Sequence, residues 1–240
     1  MIEPSLVVAP SLLAAEFSVD AARSVDGVAD WLHVDVMDGV FVPNTTIGLD
    51  RVRELRAATT IPFDTHLMIV DPQRTAVRYA EAGSAHVTFH AEACPDPVAL
   101  ARDLRAAGAS PGLAIDRDTP IEPYLELLPA FDLLLIMTIK AGFGGQEFLP
   151  YLLEKVRVAR AHRDAGHLSL RLEVDGGIAD ATIEQAAEAG ADTFVAGTAV
   201  FGAHDPTEAV VRLRELARRS PAPTVRERDP APDGPGGGRR

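Results

Sequence analysis

Three short runs place imidazoles and carboxylates where they could share one site. In His33–Val34–Asp35 the polar side chains are two residues apart, so both point to the same side of a strand. The run Phe63–Asp64–Thr65–His66 supplies a second imidazole, and a third apolar run ends on Asp175. Ser11 follows the first apolar run of the chain. An inward-facing His and Asp in an otherwise apolar strand are costly to bury without partners. Gathered at matching strand ends, His33, Asp35, His66 and Asp175 form a ligand set suited to a divalent transition metal such as zinc, iron or manganese.

Glycine turns supply a second signal. Gly142–Phe143–Gly144–Gly145 follows the sixth apolar run, Gly176–Gly177 the seventh, and Gly197–Thr198 the eighth. Glycines allow main-chain N–H groups to approach an anion, and helix N-termini add partial positive charge. In α/β barrels the loops after strands seven and eight commonly form a phosphate site. Apart from Met1, the methionines are Met37, Met68 and Met137, each at the end of a run that carries or adjoins a polar residue. They read either as core gap-fillers or as a polarisable, water-poor lining over the site.

The elements that must position these groups alternate. Strands are expected over residues 6–9, 31–36, 63–69, 86–89, 112–115, 133–139, 170–174 and 193–196. Helical patterns lie between them, at 51–58, 73–82, 97–107, 151–165 and 182–189. Gly83, Gly108, Gly166 and Gly190 each follow an alanine-rich turn, as helix C-termini require. Near-continuous apolar runs such as LLLIM mark parallel strands covered by helices. About eight βα units predict a single-domain α/β (β/α)8 TIM barrel over residues 1–218, with an open doubly wound sheet as the alternative. Residues 219–240, rich in Pro, Gly and charge, are expected to be a disordered tail.

Composition narrows the function. A net charge of −12 with interspersed arginines gives no footprint for nucleic acid, so a bound phosphate must rely on local donors. No apolar run reaches the roughly 18 residues needed to span a bilayer. The lone cysteine, Cys94, excludes an internal disulfide and fits a reducing cytoplasm.

The runs APSLLAAEF, LHVDVMDGVFVPN, FDTHLMI, FHAEA, MTIKAGFGGQEF, LEVDGGI and FVAGTAVFG together resemble the ribulose-phosphate 3-epimerase family, in order, across residues 6–202. The resemblance implies a (β/α)8 barrel with one divalent metal ion (zinc, iron, manganese or cobalt) on His33, Asp35, His66 and Asp175, with Asp35 and Asp175 also the catalytic acid–base pair. It implies that Ser11 and His66 contact a sugar-phosphate substrate. Gly142, Gly144, Gly145, Gly176, Gly177, Gly197 and Thr198 would surround its phosphate, and Met37, Met68 and Met137 would cap the reacting carbons. The implied reaction removes the C3 proton of D-ribulose 5-phosphate, passes through an enediolate and returns a proton on the opposite face, giving D-xylulose 5-phosphate. A place in the pentose phosphate pathway, a cytoplasmic location and a homo-oligomer, dimer or hexamer, are implied as well.

Two positions depart from the family pattern. Lys140–Ala141 stands where Asn-Pro or Glu-Pro is usual, and Asp116–Arg117–Asp118 is more charged than expected. They open two alternatives: a related ketose phosphate such as allulose 6-phosphate, or a Schiff-base aldolase with Lys140 as nucleophile. A non-catalytic sugar-phosphate-binding barrel is a third. An orotidine-phosphate-type decarboxylase is rejected, because DVMDG lacks the interleaved lysine that such a charge network needs. His90 and Glu92 are left without a role.

Overall fold

A computed structural model describes residues 6–219. Among the described residues there are eight strands: β1 (Val7–Pro10), β2 (Leu32–Met37), β3 (Phe63–Met68), β4 (His86–His90), β5 (Ser110–Ile115), β6 (Leu133–Met137), β7 (Arg171–Asp175) and β8 (Thr193–Ala196). All pair in parallel, in the order β1-β8-β7-β6-β5-β4-β3-β2. The sheet curls into a nearly closed barrel, which decides between the closed and the open architecture. Between β1 and β2 the seam is thin. The Ser11–His33 bridge spans it at one end. Asp30 spans it at the other, its N–H donating to the Val8 carbonyl and its carboxylate accepting from the Val8 N–H.

Strand residues alternate between two apolar environments. Leu32, Val34 and Val36 of β2, and Phe63 and Leu67 of β3, face outward into the layer packed by helices. Met37, Met68, Ala114, Leu133, Leu135 and Met137 belong to a smaller inner cluster. The inward set also carries the buried polar residues His33, Asp35, Asp64, His66, Thr88, His90 and Glu173. The helical cover comprises α1 (Val19–Ser24), α2 (Leu49–Ala58), α3 (Ala76–Glu81), α4 (Pro97–Ala106), α5 (Leu153–Asp164), α6 (Ile183–Ala189), α7 (Thr198–Phe201) and α8 (Pro206–Arg219).

Local chemistry explains the helix boundaries. Asp96 caps α4 by accepting the Ala99 N–H, with Pro97 in the first turn. Gly190, at φ +114°, ends α6 in the left-handed region. The helix expected over 73–82 is split: a 3-10 turn at Pro72–Arg74 meets α3 at Thr75, whose φ of −135° is not helical. The connection from β5 to β6 carries only 3-10 turns, Glu122–Tyr124 and Leu128–Ala130. Pro120, Pro123 and Pro129 each remove a donor that an α-helix would need there. The last helix runs to Arg219, one residue past the boundary drawn from composition, and the tail segment 220–240 lies outside the described residues.

Candidate active site

Strand register stacks the polar residues in rungs. His33 lies level with Asp64, Asp35 with His66, and Met37 with Met68 across the β2–β3 pair. On the other side of the barrel Met137 lies level with Asp175. Two strands thus deliver alternating imidazole and carboxylate at the same heights, with methionine above them.

At the centre of this stack His33, Asp35, His66 and Asp175 each aim one ligand atom at a common point, all four within 4.8 Å of one another. His33 Nε2 lies 3.4 Å from Asp35 Oδ1 and 3.8 Å from Asp175 Oδ2. His66 Nδ1 lies 3.5 and 3.7 Å from the same two oxygens. These spacings are too long for charge-assisted hydrogen bonds, which run about 2.7–2.9 Å. They approach the edges, about 3.3–3.6 Å, of a tetrahedron with metal–ligand bonds of about 2.0–2.2 Å. His33 Nε2 and His66 Nδ1 are also buried without a hydrogen-bond partner. Buried ring nitrogens are rarely orphaned, so the donor set fits a metal ion.

The other atoms of these ligands are held from behind. Asp64 Oδ2 lies 2.6 Å from His33 Nδ1, and a carboxylate there can only accept, which leaves the Nε2 lone pair facing the centre. Ser11 Oγ donates to Asp35 Oδ2 at 2.7 Å, so Asp35 turns Oδ1 inward. Ser11 also caps the following 3-10 turn by accepting the Leu13 N–H. Burial pushes the Asp35 carboxyl up, but the His33 and His66 rings outweigh it and hold Asp35 well below the ordinary carboxylate range. Burial likewise opposes charge on both imidazoles. At His33 the Asp35 and Asp64 carboxylates outweigh it, and at His66 Asp175 and Asp35 do, so both pKa values rise.

Above the four residues opens a cavity of ≈ 690 Å³. Ser11, Asp35 and Asp175 line its floor, with Met37, Met68 and Met137 beside them. The glycine turns form its rim: Gly142, Gly144, Gly145, Gly176, Gly177, Gly197 and Thr198 all reach it. Gly176 and Gly177 adopt φ +117° and +68°. A Cβ on Gly177 would sit 2.8 Å from the Phe148 backbone nitrogen, so only glycine keeps this rim open. Asn44, from the loop after β2, donates to the Gly142 carbonyl at 2.7 Å and ties the sixth-strand turn down.

His33 and His66 are fully buried and offer the cavity no surface. The buried His66 ring, with Nδ1 facing Asp35 and Asp175, suits metal ligation. Lys140 is exposed and does not line the cavity. The desolvation that a Schiff-base lysine needs is therefore missing, and the aldolase alternative loses its nucleophile. Asp116–Arg117–Asp118 also lies off the cavity; Lys155 anchors it by donating to the Asp116 and Arg117 carbonyls at 2.7 and 2.8 Å.

Three residues that matter here went unassigned from sequence: Asp64, Glu173 and His90. The signal for the first two was present, since Asp64 is two residues before His66 and Glu173 two before Asp175. The alternation that turns the ligands inward turns these inward as well.

Comparison with known proteins places the chain in a family. A model of the ribulose-phosphate 3 epimerase family matches residues 7–201. The chain belongs to the ribulose-phosphate 3-epimerase family. Within the family it is 60% identical over 213 residues to the ribulose-phosphate 3-epimerase of Mycobacterium tuberculosis, covering 88% of this chain and 93% of that protein. It is 42% identical over 220 residues to the protein named as the cytoplasmic isoform of ribulose-phosphate 3-epimerase from Oryza sativa, covering 89% and 95%. In fold it is similar to 3-keto-L-gulonate-6-phosphate decarboxylase from Vibrio cholerae, with a TM-score of 0.66, 20% identity and coverage of 90% and 98%. Among the described residues no helix is long and apolar enough to cross a membrane.

Proposed function

We propose that this chain interconverts D-ribulose 5-phosphate and D-xylulose 5-phosphate, using one divalent ion (zinc, iron, manganese or cobalt) held by His33, Asp35, His66 and Asp175. The observation that carries the reading is the convergence of those four ligand atoms within 4.8 Å at the floor of a glycine-rimmed cavity. The names of the 60% and 42% identical relatives support the substrate. Neither departure from the family pattern touches the cavity, so nothing at the site favours a larger ketose phosphate.

When bound, the ion supplies Lewis-acid stabilisation of the negative charge that develops on the substrate oxygens. The chain does the rest. Asp35 on β2 and Asp175 on β7 stand on separate strands at the cavity floor, and one takes the C3 proton while the other returns a proton to the opposite face. Ser11 keeps Asp35 oriented through its 2.7 Å hydrogen bond. Met37, Met68 and Met137 keep water from the exposed intermediate with apolar, polarisable side chains. The glycine rim after β6, β7 and β8 holds the phosphate through main-chain N–H groups, which explains how a chain of charge −12 binds an anion. A cytoplasmic location and assembly as a homo-oligomer, dimer or hexamer, complete the reading. Sedimentation would measure the assembly.

The test is a coupled assay on ribulose 5-phosphate with metal-stripped and metal-restored protein, together with deuterium incorporation at C3 in heavy water. Activity and exchange should vanish on stripping and return with metal. Asp35→Asn and Asp175→Asn should lose about 10²–10⁴-fold. Substrate binding without C3 exchange in metal-loaded protein would leave a non-catalytic binding barrel in its place.

A further inference from the structure

His66 faces the centre with Nδ1, and its second ring nitrogen has an unusual neighbour. His66 Nε2 lies 2.9 Å from His90 Nε2, both rings fully buried. At that distance one nitrogen donates and the other accepts. The choice is made one step further out. His90 Nδ1 lies 3.2 Å from Glu92 Oε2, and Glu92 Oε1 accepts the Asp116 N–H at 2.9 Å. Burial pushes the Glu92 carboxyl up, but hydrogen bonds from His90 and Thr119 hold it down at about 2, so it is an acceptor only. His90 must then carry hydrogen on Nδ1 and present a lone pair at Nε2. His66 must donate from Nε2, which leaves its Nδ1 lone pair directed at Asp35 and Asp175. The Phe41 ring, 4.7 Å from the His90 ring, covers this pair from the loop after β2.

We infer that His90, oriented by Glu92, is a positioning residue that fixes His66 in the tautomer whose Nδ1 can ligate the metal. It does for His66 what Asp64 does for His33, with the His90 imidazole interposed between the ring and the Glu92 carboxylate. His90 is not itself a ligand, since its only inward nitrogen is spent on His66. The inference rests on the metal reading above.

The experiment measures zinc affinity by chelator competition on the full chain for wild type, His90→Phe and His90→Gln, with thermal melts to verify folding. It adds histidine ¹⁵N spectra of the wild type with and without zinc. His90→Phe removes the acceptor and should weaken zinc binding about 10- to 100-fold. His90→Gln, whose amide oxygen can accept the same hydrogen, should stay within about threefold of wild type. The spectra should show His90 protonated on Nδ1 and bare on Nε2. Equal zinc affinity in a folded His90→Phe, or hydrogen on His90 Nε2, would overturn the inference. A wild type without zinc affinity would instead overturn the metal reading, and the metal-free spectrum would still judge His90.

Discussion

Glu173 is a buried carboxyl whose protonation state can be read from its neighbours. It sits inward on β7, fully buried, with ligand atoms of His33, Asp64 and Glu173 all within 4.8 Å. Neither Glu173 oxygen has a hydrogen-bond donor, nor does Asp64 Oδ1. A proton on Glu173 places a donor beside Asp64 and removes a second buried negative charge. Burial, then the Asp64 charge, raise the Glu173 pKa well above the ordinary range, whereas Asp64 itself is held down chiefly by His33. Glu173→Gln should therefore fold well, because an amide N–H replaces the acid O–H. Above the unfolded pKa of about 4.3 the native wild type binds one proton more than the unfolded chain, so its stability falls as pH rises, by about 1.4 kcal/mol per unit, until the native pKa is reached. Glutamine has no such term. Between pH 5 and pH 7 the variant should gain on the wild type as pH rises, by at most about 1.4 kcal/mol per pH unit. Urea unfolding of chelator-treated proteins at pH 5, 6 and 7 measures the difference, and titrations common to both proteins cancel in it. A difference that stays constant with pH would mean that Glu173 is ionised in the fold, and the hydrogen-bond argument would fail.

Three further outcomes follow from the site. Metal affinity should fall as pH drops through the raised pKa values of His33 and His66, because both must lose a proton to ligate; the dissociation constant should rise up to about 100-fold per pH unit when both are protonated, and a flat profile by titration calorimetry would contradict this. Gly177→Ala should cost about 1–3 kcal/mol and raise KM for the phosphorylated substrate, since φ +68° and the Phe148 backbone leave no room for a Cβ; an unchanged melting temperature would refute it. Lys140→Ala should leave kcat/KM within about twofold and borohydride should trap no adduct on the wild type, whereas a trapped adduct would restore the aldolase.

Much of this was legible before any coordinates. Runs such as LLLIM and LHVDVM carry the parallel-strand signature, and the polar letters inside them mark the barrel interior because apolar strands bury such groups only with partners. What the letters did not reveal is which inward residue meets which across the barrel. Asp64 and His33 are 31 positions apart, and His66 and His90 are 24 apart, so their pairing depends on strand register. The register is set by the outward apolar faces, not by the polar residues themselves. The β5–β6 connection was open to reading: three prolines in ten residues exclude an α-helix, and that crossover is covered by 3-10 turns.

The interior of this barrel departs from the usual filling of layered Val, Ile and Leu. Its lower rungs carry histidine, aspartate and glutamate, and its apolar residues are mostly held at the methionine level and along β5 and β6. Such an interior holds together only if its charges and lone pairs are assigned in a chain. A proton on Glu173 spares Asp64 a second buried negative charge, Asp64 accepts from His33, Ser11 donates to Asp35, and His66 donates to His90. Three of these links leave one ligand atom, His33 Nε2, Asp35 Oδ1 and His66 Nδ1, facing the centre. The outer carboxylates therefore do more than neutralise charge. They settle the hydrogen positions of the inner ring, so that three of the atoms left over are ones that a metal requires, and Asp175 brings the fourth.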